Sequence, residues 1–344
     1  MGIGSRIELA RKANGLSMRA LAKKMEMSAM AISKYERGMM NPGSRVLVQL
    51  AQVLHVDMEY FFRPAPQVIS LVMYRKHANL GKTQLDTLHA QIQEWLERYL
   101  EVESLLNFEM DSKALWQKYP ASSLDDVEHI ADLVREDWEL GLDPIDDLIH
   151  VLEAKGLKIN LIEGFEGFDA CTFKSNYAPV IVVRRDNIPG DRQRFSIAHE
   201  LGHILLYVNE DMEEKAAHRF AGAFLFPKGK VLQELGSHRT RLSLNELYIL
   251  KQKYGISMQA IIHRAKDLAI ISDSYYRQFC TIFSQQGYRK HEPGDQLVQE
   301  HPVRLQQMLE KLLAEDIISR AKAKELNAGP LQKLGGNPQD VFQF

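Results

Sequence analysis

The chain has 344 residues, of which 45% are hydrophobic and 26% are charged. This length and composition are typical of an ordinary globular protein with about two or three domains. The two cysteines, Cys171 and Cys280, are too few for a disulfide framework or a cysteine-rich zinc module. No stretch approaches the roughly 18 consecutive apolar residues of a membrane span, and the N-terminus lacks a signal-peptide pattern. We therefore expect a cytoplasmic protein without a membrane partner.

The charge is unevenly distributed along the chain. Residues 1–65 carry a net charge of +5, whereas the rest of the chain carries −7. A basic N-terminal segment on an acidic body is typical of a small nucleic-acid-binding module joined to a larger protein.

Helical periodicity and capping residues predict five short helices in residues 1–65. Ser17 and Ser28 are suited to cap the second and third helices, and Gly15 and Gly38 to end the first and third. The predicted ranges are 5–14, 18–24, 29–37, 42–54 and 57–62. Two short helices joined by a tight turn indicate a helix-turn-helix, whose third helix would enter the major groove of DNA.

The motifs of this segment resemble the phage-repressor-like (XRE) DNA-binding domain. They are Leu16-Ser17-x-x-Ala20-Leu21-Ala22, Ser28-x-x-x-Ile32-Ser33-x-Tyr35-Glu36-Arg37-Gly38, Pro42 and Leu50-Ala51-x-x-Leu54-x-Val56. The resemblance implies double-stranded DNA as partner, with Ser28, Ala29, Met30, Ser33 and Lys34 toward base edges and Arg19, Lys23 and Arg37 at phosphates. Met18 departs from the family, where Gln is usual. A solvated basic bundle and a protein-docking module are the alternatives, and a homodimer is expected from the palindromic sites that such domains read.

Residues 66–140 are predicted to form a mainly helical linker. After a strand at 68–74, apolar residues recur at helical spacing over 82–108, and their stripe is either core or a dimer seam. A second helix is predicted at 124–140, and a further one, opened by Pro144, at 145–155.

The pattern changes to short strands after residue 156. Strands are predicted at 157–162, 168–173 and 180–184, and a helix follows Pro189-Gly190. This order predicts an α+β arrangement in which a small sheet packs on that helix.

The helix over 194–206 carries the motif His-Glu-x-x-His. His199 and His203 are four residues apart, so they lie on one helix face, where two imidazoles can bind one Zn2+ ion. Glu200 is rotated off that line and can act as a base beside the metal. Gly202 costs roughly 1 kcal/mol relative to alanine in a helix interior, which indicates that another element approaches closely there.

Zinc that catalyses hydrolysis has three protein ligands, so a third ligand is expected downstream. Residues 211–225 predict a second buried helix face, toward which both Glu213 and Glu214 point on the helical wheel. The wheel does not separate these two, and His218 at the edge of the same face is a weaker candidate.

Two linked segments resemble the ImmA/IrrE metallopeptidases. They are Arg192-Gln193-Arg194-Phe195-x-x-Ala198-His199-Glu200-Leu201-Gly202-His203 and Glu214-x-x-Ala217-x-x-Phe220-Ala221-x-x-x-Leu225-x-Pro227. The resemblance covers roughly residues 140–270 and implies a zincin-like domain with Glu214 as the third ligand. The short segment between His203 and Glu214 leaves Glu213 as the alternative. Many bacterial members likewise carry an N-terminal phage-repressor-like domain.

Together these observations predict a multidomain, mainly α protein. The expected domains are a five-helix DNA-binding bundle (1–65), a helical linker (66–140), a metallopeptidase domain (141–270) and a helical C-terminal region with a loose tail from residue 329 (271–344). His263 and Arg264 are candidate donors to the tetrahedral intermediate. The expected function is a DNA-binding regulator fused to a zinc endopeptidase that cleaves a repressor or antitoxin-like protein in a stress or mobile-element response. The alternative is a repressor or antitoxin whose metal domain senses or docks a partner without proteolysis.

Overall fold

The computed structural model describes residues 2–63, 80–107, 118–174 and 178–327. The strand predicted at 68–74 and the loose tail predicted from residue 329 lie outside these ranges. The described residues are mainly helical and form two compact units. The first unit contains 2–63, 80–107 and 303–327, and the second contains 118–174 and 178–302. The expectation of a multidomain, mainly α fold is therefore confirmed.

The first unit begins with the predicted helix-turn-helix bundle. Its helices are α1 (Ile3–Ala13), α2 (Met18–Lys24), α3 (Ala29–Glu36) and α4 (Ser44–Leu54), followed by a short 3-10 helix at Met58–Phe62. The hydroxyls of Ser17 and Ser28 accept hydrogen bonds of 3.1 Å from the backbone N–H groups of Ala20 and Ala31, which confirms both as N-caps. The fourth helix begins two residues later than predicted, after Gly43 at the N-cap position.

The long amphipathic helix belongs to this first unit. Helix α5 (Lys82–Leu105) packs on α1 and on two C-terminal helices, α14 (Arg304–Ala314) and α15 (Arg320–Leu326). Tyr99 and Val102 are buried against Leu309. The apolar stripe of α5 was predicted to be either part of a core or a dimer seam, and the structure supports packing in a core.

The second unit contains the remaining described helices and all the described strands. Its helices are α6 (Leu124–Asp137), α7 (Leu148–Ala154), α8 (Gly190–Leu205), α9 (Glu213–Leu225), α10 (Lys228–Leu235), α11 (Leu244–Tyr254), α12 (Met258–Asp267) and α13 (Asp273–Gln285). The helix predicted at 145–155, directly after Pro144, begins later than predicted, because α7 starts at Leu148. Asp147 instead caps α7 by accepting a 2.8 Å hydrogen bond from the backbone N–H of His150.

The two units divide the chain differently from the domain boundaries expected from sequence. Helix α6, expected in the linker, packs on α9 in the second unit, whereas α5 from the same expected linker belongs to the first. The expected C-terminal region is divided as well, because α13 packs on α12 whereas α14 packs on α5. The apolar faces of these helices, rather than their order in the chain, determine the grouping.

A three-stranded sheet supports the helix that carries the His-Glu-x-x-His motif. Strands β2 (Lys158–Ile162) and β4 (Val180–Arg184) are parallel, and β3 (Ala170–Phe173) pairs with β4 in the antiparallel sense. Helix α8 packs on β3 and β4, as the strand-then-helix order predicts. Strands β1 (Tyr119–Pro120) and β5 (Leu206–Tyr207) form a short parallel pair at the end of α8, and sequence did not indicate this pair.

A segment after α13 crosses the start of α8. The backbone N–H of Gly190 donates to the carbonyl of Leu297 at 2.8 Å, and the side chain of Gln193 exchanges two hydrogen bonds with the backbone of Glu300. The Glu300 carboxylate also forms an ion pair with the buried Arg194. The segment therefore holds the first turn of α8 in place.

Candidate metal centre and nucleic-acid interface

The motif on α8 presents two imidazoles on one helix face. His199 and His203 lie one turn apart, and their Nε2 atoms are 3.1 Å from each other. The opposite side of α8 is core, because Ile197, Leu201 and Leu205 are buried there. The helical spacing thus turns both histidines toward the same point at the edge of the core.

Helix α9 brings a carboxylate to the two imidazoles. Glu214 has one oxygen 3.5 Å from Nε2 of His199 and the other 3.7 Å from Nε2 of His203. Among the described residues, His199, His203 and Glu214 form a group that could hold a metal ion. Tetrahedral zinc with bonds of about 2.0–2.1 Å has ligand atoms roughly 3.3 Å apart, and the observed donor separations fit that geometry.

The alternative glutamate lies on the other side of His203. An oxygen of Glu213 is 3.6 Å from Nδ1 of His203, whereas Glu214 faces Nε2 of the same ring. A carboxylate on the second nitrogen is the usual partner that fixes the tautomer of a metal-binding histidine. Burial lowers the pKa of His203, and Glu214 and Glu213 oppose that shift. The ring is therefore favoured in its neutral form, which is the form that binds metals.

Glu200 is buried beside the two histidines. The Thr172 hydroxyl on β3 donates a 2.7 Å hydrogen bond to Oε2 of Glu200. Burial raises the pKa of Glu200 to about 7, the Thr172 hydrogen bond opposes the shift, and the nearby Glu214 carboxylate adds to it. A carboxylate with a pKa near neutrality can both accept and release a proton under physiological conditions. Glu200, His199, His203 and Glu214 all line a cavity of about 460 Å³.

Helix α9 approaches α8 closely at Gly202. A Cβ at Gly202 would lie 3.0 Å from Cα of Ala217 and 3.3 Å from Cβ of Phe220. The expectation that another element contacts the helix at this glycine is confirmed. Because α9 also carries Glu214, the spacing of the two helices determines how far the third carboxylate lies from the imidazoles.

Gly202→Ala is expected to destabilise the protein by about 1–3 kcal/mol, because the methyl group forces two packed backbones apart. It should also weaken zinc binding, since α9 and Glu214 must move away from α8. Urea unfolding and competition with a chromogenic zinc chelator measure the two effects.

Gly229→Ala is the matched control. A Cβ at Gly229 on α10 would meet only a Leu142 side-chain atom at 3.6 Å, which is an ordinary contact. The control should retain wild-type stability or gain slightly through helix propensity. Equal stability of Gly202→Ala and wild type would contradict the close-packing argument.

The weaker sequence candidates, His218, His263 and Arg264, lie outside the group of three. The ring of His218 is 6.5 Å from that of His199 and 4.8 Å from that of His263. The His263 imidazole is bonded to Asp267, with Nδ1 3.1 Å from the carboxylate. Arg264 is buried and donates to Glu128 and to the carbonyl of Phe226, so its guanidinium is already committed to structural contacts. The suggestion of Arg264 as a donor to the reaction is therefore not supported.

Sequence reasoning missed Thr172, the residue that contacts Glu200 directly. A threonine in a predicted strand is unremarkable, because β-branched residues favour strands. The available signal was indirect: the strand at 168–173 precedes a helix expected to pack on it. Only the three-dimensional register places Thr172 opposite Glu200.

The helix-turn-helix leaves the residues expected to meet DNA exposed or partly accessible. Ile32 and Tyr35 on α3 are buried, while Met30 is 66% exposed on the other side of the helix. None of the residues suggested for DNA contacts is buried; they are Arg19, Lys23, Ser28, Ala29, Met30, Ser33, Lys34 and Arg37. Exposure of these side chains is required for contact with DNA but does not by itself distinguish base contacts from phosphate contacts.

Two family comparisons agree with this arrangement. Residues 7–61 match the sequence model of a helix-turn-helix family, and residues 156–266 match that of the IrrE N-terminal-like domain, a peptidase family. The chain therefore combines a helix-turn-helix domain with an IrrE-like domain, and the expected architecture is confirmed.

Two curated relatives are similar over a shorter stretch. Both are described as an uncharacterized HTH-type transcriptional regulator, one from Sinorhizobium medicae (strain WSM419) and one from Rhizobium meliloti (strain 1021). Each is 36% identical over 64 residues, which is 19% of this chain and 46% of the relative. The chain thus spans about half the length of the curated relatives it matches. Separately, within the described residues no helix has the length and apolar character needed to cross a membrane.

Proposed function

We propose that the chain is a DNA-binding transcriptional regulator whose IrrE-like domain is a zinc-dependent endopeptidase. The observation that carries the proposal is the convergence of two imidazole nitrogens and a carboxylate beside a buried glutamate. In this assignment His199, His203 and Glu214 hold Zn2+, and Glu200 is the catalytic residue.

Bound zinc would supply a Lewis acid that polarises the peptide carbonyl and increases the acidity of water. Glu200 would take the proton of the attacking water and return it to the leaving amine. Thr172 holds Oε2 of Glu200, so the other carboxylate oxygen is the one assigned to proton transfer. Glu213 would hold the His203 ring in the orientation that presents Nε2 to the metal.

The substrate class follows from the resemblance to the ImmA/IrrE metallopeptidases. We propose a repressor or antitoxin-like protein, cleaved in a stress or mobile-element response. The fusion of the peptidase-like domain to a helix-turn-helix domain supports a regulatory substrate over general protein degradation.

Metal analysis of purified variants tests the ligand assignment. The variants Glu214→Ala and His199→Ala each lack one proposed ligand. Neither is therefore expected to retain zinc when one equivalent of the metal is added. Glu213→Ala should keep zinc but bind it about 10–100-fold more weakly, the usual effect of losing a partner of a ligating histidine. Inductively coupled plasma mass spectrometry and chelator competition give the two readouts.

Glu210→Ala, an exposed glutamate just before α9, controls for loss of negative charge in this region. Loss of zinc in Glu213→Ala together with retention in Glu214→Ala would exchange the roles of the two residues. If the wild-type protein bound no zinc in any preparation, the proposal of a zinc-dependent peptidase would be wrong.

The DNA-binding half of the proposal depends on the exposed cations of the helix-turn-helix. Arg19→Ala is expected to weaken binding to a mixed-sequence DNA duplex and to reduce the slope of log K against log salt by about 1. Fluorescence anisotropy at several salt concentrations measures both. Lys228→Ala, an exposed lysine on α10, is the matched control and should leave the salt slope unchanged. An unchanged salt slope in Arg19→Ala would show that Arg19 does not contact a DNA phosphate.

A further inference from the structure

A second cavity lies next to the proposed metal centre. It has a volume of about 350 Å³, within the range of about 300–1,000 Å³ typical of small-molecule sites. Arg192 and Phe195 line both cavities, so the first two turns of α8 form the wall between them. His218 lines the second cavity, and its ring lies 6.5 Å from that of His199.

Most of the accessible surface of this second cavity is apolar, and Ser257, Gln259 and Gln296 add neutral polar groups to its lining. Phe195, Tyr276 and Phe279 contribute aromatic surface, and Ala260 on α12 also lines the cavity. Two ring pairs lie at this cavity: Phe195 is 4.9 Å from His218 in a tilted arrangement, and Tyr276 is 5.6 Å from His263 in an edge-to-face arrangement, centroid to centroid. Such a lining favours an aromatic guest, because aromatic pairs add to the gain from burying apolar surface.

The charges around the second cavity are mostly paired or exposed. Asp191 and Glu292 are both bonded to the buried Lys251, and Arg192 is bonded to Asp169 at 2.7 Å. Arg289 and Lys290 are exposed and lie at the rim. Exposed cations contribute little to affinity compared with a buried apolar contact.

We propose that this cavity, the aromatic subsite, binds an aromatic side chain of the peptide substrate next to the bond held at the metal centre. The inference rests on the proposed metallopeptidase function and specifies its substrate class. Phe195 lines both cavities, so the aromatic subsite adjoins the cavity in which His199, His203 and Glu214 would hold the peptide carbonyl. The subsite therefore selects where the substrate is cut, in addition to any recognition of its fold.

Hydroxamates of different side chains test the subsite without any turnover. Three probes share one zinc-chelating group: acetohydroxamate, 3-phenylpropionohydroxamate and succinic monohydroxamate. Isothermal titration of the zinc-loaded full-length chain should show the phenyl probe binding at least ten-fold more tightly than acetohydroxamate. The carboxylate probe should gain little.

Two variants fill the aromatic subsite from different helices. Ala260→Trp on α12 and Cys280→Trp on α13 should each reduce the phenyl preference to within about two-fold, while acetohydroxamate binds as in wild type. Thr281→Trp, an exposed neighbour outside the cavity, is the matched control and should retain the preference. Circular dichroism verifies that each variant is folded. If only one of Ala260→Trp and Cys280→Trp folds, that variant is sufficient for the comparison with wild type.

The possible failures are distinguishable. Equal binding of all three probes to wild type overturns the aromatic subsite but leaves the metal centre intact. Tightest binding of the carboxylate probe also overturns it, because the rim cations would then dominate recognition. No binding of acetohydroxamate overturns the metal centre and the subsite together.

Discussion

Replacing Glu200 by glutamine is expected to leave zinc binding intact and to lower peptide-bond cleavage by about 10²–10⁴-fold, the usual contribution of a general base. Glutamine preserves the size of the side chain and can still accept the Thr172 hydrogen bond. It cannot take a proton from water. Metal content by mass spectrometry and cleavage of the substrate protein, followed by gel electrophoresis, give the two readouts.

Glu210→Gln provides the matched control, because Glu210 is exposed and lies outside the cavity of the metal centre. It should cleave at the wild-type rate. If Glu200→Gln and wild type regulated their target equally, the alternative would stand, in which the metal domain senses or docks a partner without proteolysis.

The same substitution has a pH-dependent effect on the metal-free protein. Because burial raises the pKa of Glu200 from 4.5 to about 7, the folded state holds this proton more tightly than the unfolded state. The associated stability is fully present below pH 4.5 and is lost as the pH rises through about 7. Above pH 7 the ionised carboxylate therefore costs about 3 kcal/mol, a cost that glutamine does not have.

Metal-free Glu200→Gln is accordingly expected to be more stable than metal-free wild type at pH 8, by up to about 3 kcal/mol. The difference should shrink toward zero as the pH falls to about 4.5. Urea unfolding in the presence of a chelator, repeated across this range, measures it. A difference that is independent of pH would show that Glu200 is not the titrating group.

Local sequence patterns were sufficient to predict the helix-turn-helix and the two imidazoles. These features act within one or two helical turns and can therefore be recognised in the sequence. They are the N-caps Ser17 and Ser28 and the four-residue spacing of His199 and His203. The choice between Glu213 and Glu214 was not visible, because adjacent residues of one helix differ only in the direction of their side chains. The structure separates them by the nitrogen of His203 that each one faces.

Contacts between distant segments were not predictable. Thr172 meets Glu200 through the register of β3 against α8, and Glu300 meets Arg194 across more than a hundred residues. Helix α5 was predicted to belong to a linker, because its apolar stripe does not show which other helices it packs against. In each case the residue type is common on surfaces or in strands, so that only packing assigns its role.

Lys251 gives the second large effect expected from the structure. Although a lysine in an amphipathic helix is usually exposed, Lys251 on α11 is completely buried and bonded to Asp191 at 2.9 Å and to Glu292 at 3.0 Å. Glu292 also accepts hydrogen bonds from the backbone N–H groups of Met258 and Gln259 at the start of α12. The lysine therefore joins α11 to the first turn of α8 and to α12.

Lys251→Met is expected to destabilise the protein by about 3–5 kcal/mol at neutral pH, because two buried carboxylates lose their counter-charge. In the wild type, burial lowers the pKa of Lys251 but the two carboxylates outweigh it, so the net shift is upward and the lysine stays charged. Acidification should narrow the difference between variant and wild type, since protonation neutralises the carboxylates left without a partner. Urea unfolding at several pH values measures this dependence.

Lys253→Met on the same helix is the matched control. Lys253 is 47% exposed and pairs with Glu234 near the surface, so its loss should cost at most about 1 kcal/mol. Adding Asp191→Asn to Lys251→Met should recover part of the lost stability by removing one unpaired charge. Equal costs for the two lysine variants, or no recovery on adding Asp191→Asn, would contradict a buried charge cluster.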